Sequence, residues 1–135
     1  MLNHITIMGR FTRDPELRRT GSGVPVASFS LAVDRDVVAE GKERETDFID
    51  CVAWRGTGEF IERNFHKGSM AVVDGRLQIR GWTDKDGNKR RTAEINVEHI
   101  YFADSKKTDT GASSAPQSRA NDFAMLDDDD AKLPF

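Results

Sequence analysis

The sequence predicts an all-β domain: a five-stranded Greek-key barrel with one short helix between strands 3 and 4, then a disordered acidic C-terminal tail. Three observations predict it. Apolar residues alternate along five separate stretches, which is the period of strands. Between the third and fourth stretch the period changes once, to that of a helix. From residue 105 to Ala120 there is almost nothing apolar. A chain of 135 residues suits one domain with a tail.

The elements follow in order. Leu2 to Arg10 reads as the first strand, with Ile5 and Ile7 on one face and His4 and Thr6 on the other. Asp14-Pro15 and Thr20-Gly21-Ser22-Gly23 are loop and turn signals. Val24 to Val33 is the second strand: Ala27, Phe29, Leu31 and Val33 point one way, Ser28 and Ser30 the other. Residues 36–45 are polar, contain Gly41, and read as a hairpin loop. Thr46 to Trp54 is the third strand. Phe48, Asp50, Val52 and Trp54 share one face, and Ile49, Cys51 and Ala53 share the other. Over residues 56–66, Phe60, Ile61, Asn64 and Phe65 fit one side of a short helix, with Gly68 as a stop. Ser69 to Arg80 returns to alternation, with Ala71, Val73, Leu77 and Ile79 expected inside. Asp86-Gly87 is a hairpin turn, because glycine accepts the positive φ such turns need. Arg90 to Phe102 is the last strand, with Ala93, Ile95, Val97 and Tyr101 expected inside. The order β-β-β-α-β-β suits a barrel of the OB type over residues 1–104.

The tail divides in two. Residues 105–126 are a linker too poor in apolar groups to offset the entropy of ordering. Residues 127–135 are four acids, Ala131-Lys132, and an apolar end. Such a tip suits capture by a partner, with Phe135 in a pocket and its carboxylate on Arg or Lys. The alternative is a solubilising tail.

Composition narrows the function. There is no apolar run near the ~20 residues of a membrane span. The N-terminal residues carry no secretory pattern, so the expected compartment is the cytoplasm. Cys51 is the single cysteine, which excludes an internal disulfide, and no Cys/His set has zinc spacing. The histidines are isolated and no phosphate-binding glycine loop is present, so no catalytic set, cofactor or metal is expected. The net charge of −3 is unevenly spread. Arg76 to Arg91 holds six basic residues and two acids, whereas Asp34 to Asp50 holds seven acids and three bases. Separated charge of this kind can present a basic groove on a near-neutral domain.

Phe48 and Trp54 need explaining, because the opposite strand face already supplies a core. Stacking on nucleobases would explain them, with Arg and Lys neutralising phosphates. Packing under the helix or in a subunit interface is the alternative. Trp82 lies in a polar hairpin beside Arg80, where burial is harder and stacking is favoured.

The chain resembles the bacterial single-stranded DNA-binding proteins. The resemblance runs through residues 1–103 and returns at the last nine. It is carried by Asn3-His4-Ile5-Thr6-Ile7-Met8-Gly9-Arg10, Asp14-Pro15-Glu16-Leu17-Arg18, and Val26-Ala27-Ser28-Phe29-Ser30-Leu31-Ala32-Val33. Further segments are Thr46-Asp47-Phe48-Ile49-Asp50-Cys51-Val52-Ala53-Trp54, Lys67-Gly68-Ser69, Asp74-Gly75-Arg76-Leu77 and Trp82-Thr83-Asp84.

That resemblance implies a non-enzymatic OB-fold homotetramer that wraps single strands without sequence preference. It implies work at the nucleoid in DNA replication, repair and recombination. Phe48, Trp54 and Trp82 fall where such proteins place stacking aromatics. Arg10, Arg55, Lys67, Arg76 and Arg80 are the candidate phosphate contacts. Asp129, Asp130, Leu133, Pro134 and Phe135 would recruit replication, repair and recombination enzymes. Three departures stand out. Val37 takes the place of a further stacking aromatic, Ala131-Lys132 separates the acids from Leu133, and the linker is short. Two other readings stay open: an RNA-binding OB domain, and a scaffold whose aromatics are buried between subunits.

Overall fold

The computed structural model describes residues 1–105. Apart from Ser105, the expected linker and tip lie outside the described residues. Six strands and one helix form: β1 (Ile5–Phe11), β2 (Glu16–Arg19), β3 (Pro25–Asp34), β4 (Thr46–Trp54), α1 (Arg55–Asn64), β5 (Met70–Thr83) and β6 (Lys89–Phe102). The sheet runs β1-β5-β6-β4-β3-β2, and β1 also pairs with β3. That pairing closes β1, β5, β6, β4 and β3 into the expected five-stranded barrel. The β4–β6 pair is parallel and the others are antiparallel.

The sequence reading missed β2. Its four residues, Glu-Leu-Arg-Arg, carry three charges and one half-buried Leu17, too short for a visible period. It adds to β3 as an edge, where charge is tolerated because one side faces water. Helix α1 also ends earlier than Gly68, at Asn64, where Phe65 turns extended.

The core fills as the alternation dictates. Ala27, Phe29 and Leu31 from β3 meet Cys51 and Ala53 from β4, Ala71 and Val73 from β5, and Ile95 and Val97 from β6. Helix α1 lies over one end of the barrel and contributes Ile61. An aromatic stack runs through that end. Phe11 stacks on Phe29 at 4.7 Å and on Phe65 at 5.2 Å, and Phe65 stacks on Phe102 at 4.6 Å.

Four expected core residues are instead exposed. Tyr101 is 56% exposed, because the β5–β6 register slips at Asp74/Gly75. Asp74 pairs with His99 but Gly75 pairs with Val97, so Glu98 is an extra residue. A bulge of one residue exchanges the faces beyond it. Ile100 therefore reaches the core and Tyr101 does not. Gly75 is required there, since a Cβ would come within 2.1 Å of the Asn96 carbonyl oxygen. Leu77, Ile79 and Ala93 lie on the expected face but too far along the strands. Leu77 lies past the last β1–β5 pair, at Ile5/Gly75, and stays 44% exposed; beyond Gln78 and Glu94, β5 and β6 run on as a two-stranded arm, where Ile79 is 57% exposed. The arm turns at Asp86-Gly87 as expected, with Gly87 at φ 81°.

Candidate nucleic-acid interface

Strand register decides which candidate residues share a surface. Phe48, Ala32, Arg10 and Met70 form one row across β4, β3, β1 and β5. Ser30, Asp50, Glu94 and Gln78 form a second row across β3, β4, β6 and β5. Alternation along β4 puts Trp54 on the same face as Phe48 and Asp50. Alternation along β5 puts Arg76, Arg80 and Trp82 on the same face as Gln78. Six of the eight candidates thus occupy the outer wall of the barrel and its arm.

The aromatics are accessible. Phe48 is 70% exposed, Trp54 45% and Trp82 43%. None of them packs under α1, which removes one of the two structural alternatives. Each sits in a shallow concavity with cationic neighbours. Phe48 shares one with Met8, Arg10 and Arg44. Trp54 lines another with Arg13 and Arg80. Trp82 shares a third with Lys89, Arg90 and Arg91. The Trp82 indole Nε1 donates to Thr92 Oγ1 at 2.8 Å.

Of the five candidate phosphate contacts, Arg10, Arg76 and Arg80 are already held. Arg10 Nη1 donates to the Gly68 carbonyl at 2.7 Å and lies 4.0 Å from Asp104. Arg76 Nε is 3.0 Å from Glu98, and Arg80 Nε is 3.6 Å from Glu94. Arg55, the first residue of α1, and Lys67, on the connection from α1 to β5, are exposed and make no ion pair among the described residues. Arg55 opens α1 at φ 57°, the one non-glycine residue with positive φ among those described. Lys67 is placed by its backbone N–H, which donates to Asp14 Oδ1 at 2.8 Å.

The sequence reading passed over Arg13, Arg44 and Met8 as site residues. Arg13 was visible only as part of the basic stretch from Arg10 to Arg19; the turn that carries it back beside Trp54 was not. Cys51 points into the core, and burial pushes its thiol up to about 12, with Asp50 and Glu94 adding to the effect. It is a packing residue. Asp74, Glu98 and His99 bring ligand atoms within 4.8 Å of one another, but Arg76 already engages Glu98, so this is a surface charge network.

An open sheet face with exposed aromatics between arginines can stack planar rings and neutralise anions along one track. Residues 2–103 match the single-strand binding protein family. The chain belongs to this family. It is 44% identical over 123 residues to single-stranded DNA-binding protein 2 of Listeria monocytogenes, covering 90% of this chain and 77% of that one. It is 44% identical to single-stranded DNA-binding protein A of Bacillus subtilis, over 78% of this chain and 62% of that one. A single-stranded DNA-binding protein of Caldanaerobacter subterraneus is 39% identical over 98% of this chain and 85% of its own. Among the described residues no helix is long and apolar enough to cross a membrane.

Proposed function

We propose that this family member binds single-stranded DNA largely without regard to sequence, protecting it during replication, repair and recombination. One observation carries the reading: Phe48, Trp54 and Trp82 stand exposed on the same outer wall as Arg10, Arg76 and Arg80. Stacking tolerates any base, since every base has a π-face, and is worth about 1–3 kcal/mol per base. The cations, with Arg55 and Lys67, neutralise phosphates and release counterions, which makes binding fall with salt. The role is that of a binding protein at the nucleoid, not of an enzyme.

The binding unit is proposed to be a homotetramer. Over residues 5–8, β1 pairs with β5 on one side only, which supports pairing with a second copy. Exposed Leu77, at the root of the arm, and Ile79 on it offer further apolar contact. Partner enzymes are proposed to dock on Asp129, Asp130, Leu133, Pro134 and Phe135.

The experiment is a pair of assays on full-length protein and a variant lacking Leu133 to Phe135. Both should bind poly(dT) equally, and only the full chain should retain repair and replication enzymes in a pull-down. Retention by the shortened variant would refute the tip's role. Failure of both to bind poly(dT) would refute the DNA-binding reading.

A further inference from the structure

Lys67 carries a side chain without an ion pair on a pinned backbone. It sits in the turn from His66 to Ser69, which the Ser69 N–H closes by donating to the His66 carbonyl at 3.0 Å. Gly68 takes φ 91° at the third position, the positive value that a type II turn requires there. Such a turn gives no partner to the N–H and carbonyl of its second residue. Here two side chains take them. His66 Nδ1 donates to the Lys67 carbonyl at 2.9 Å. The Lys67 N–H donates to Asp14 Oδ1 at 2.8 Å, from a loop 53 positions away.

The rest of the turn is tied to the end of β1. The Gly68 N–H donates to the Phe11 carbonyl at 2.9 Å, and the Phe11 N–H donates to the Ser69 carbonyl at 2.8 Å. Asp14 is the tie that reaches Lys67 itself from outside the turn. Asp14 is exposed and makes no ion pair among the described residues. On charge alone it repels the phosphates that Lys67 attracts, so removing it should tighten DNA binding. Its hydrogen bond acts in the opposite sense. It orders the Lys67 backbone before a strand arrives, so less entropy is lost on binding.

We infer that Asp14 is a positioning residue for single-strand binding: through the Lys67 N–H it aims the Lys67 ammonium at a phosphate, and this gain exceeds the repulsion from its own charge. This deepens the DNA-binding reading and rests on it, with Lys67 as a phosphate contact. An acid on the binding surface thereby strengthens the binding of an anion.

The test compares full-length wild type, Asp14→Ala and Asp14→Asn for affinity to poly(dT) over a range of salt. Asp14→Ala removes the acceptor and the charge together. It should bind about 2- to 10-fold more weakly, with a salt slope lower by up to about 1. Asp14→Asn keeps an acceptor and removes the charge, so it should bind at least as tightly as wild type. In a Lys67→Ala background most of the Asp14→Ala loss should vanish, because the N–H remains and the ammonium does not. Asp14→Ala binding as tightly as wild type would overturn the inference, and so would an equal loss with and without the Lys67 side chain. Asp14→Asn binding more weakly than wild type would overturn it whether or not Asp14→Ala folds. Each of these results leaves single-strand binding by the wild type intact, whereas absence of wild-type binding would overturn both readings.

Discussion

The Trp82 indole donates from Nε1 to Thr92 Oγ1 at 2.8 Å, and Trp82 lies directly across the ladder from Arg90. One face of the ring is thus fixed in orientation on an arm that stands clear of the barrel. A base stacking on that ring meets a side chain whose rotamer is already set, which lowers the entropy lost on binding.

From this placement, Trp82→Ala and Trp54→Ala should each weaken poly(dT) binding by about 1–3 kcal/mol. Both side chains are about half exposed, so thermal unfolding should move little. Thr92→Val should weaken binding less than Trp82→Ala does. Isothermal titration beside a melting curve separates the two effects. Lost affinity accompanied by an equal loss of stability would mean the rings are structural.

Arg55 gives a prediction about sign. At an ordinary helix position alanine is more stable than glycine by roughly 0.5–1 kcal/mol. At φ 57° the Cβ is strained by roughly 1–2 kcal/mol, which reverses the order. Arg55→Gly should therefore unfold at higher urea than Arg55→Ala. Both should lose one phosphate contact, and the salt slope of DNA binding should fall by about 1.

The arm should loosen in acid. Asp84 accepts from Arg90 Nε at 2.9 Å and from the backbone N–H groups of Asn88 and Asp86 at 2.8 and 3.0 Å. The Arg90 hydrogen bond, then those backbone groups, hold its carboxyl below the usual range. A depressed folded value stabilises the turn above the ordinary carboxylate value of about 3.9 and is lost as pH falls through the folded value. Amide exchange across residues 83–90 should therefore accelerate as pH drops below about 4 in the wild type, relative to Asp84→Asn.

Cys51 should resist thiol reagents at neutral pH while the protein is folded. Its raised value keeps the thiol protonated in the folded state. The unfolded chain ionises near 8.5, so stability is full below that pH and falls as pH rises toward 12. Urea melts from pH 7 to 10 should show this decline in the wild type and less of it in Cys51→Val.

The residues differ in how much they reveal alone. Thr46 to Trp54 was legible to the residue, because its two faces carry different chemistry. Phe48 and Trp54 were legible as a pair for the same reason. Tyr101 was not, because its face depends on Glu98 being extra, and a bulge is set by pairing with Asp74 and Gly75 on another strand. Leu77 and Ile79 have the right period, but period says nothing of where the barrel ends. The partners of Arg10, Arg76 and Arg80 were hidden too, since Gly68, Glu98 and Glu94 come from other segments. The opposition of Asp50 and Glu94 needs the parallel pairing of strands 44 positions apart.

The most direct measurement is a tryptophan fluorescence titration of the full-length protein with poly(dT) at low and high salt. Trp54 and Trp82 are the two tryptophans, and both lie on the proposed track. The account predicts strong quenching at low salt, near-stoichiometric binding, and an affinity that falls as salt rises. Binding without quenching, or no binding at all, would contradict it.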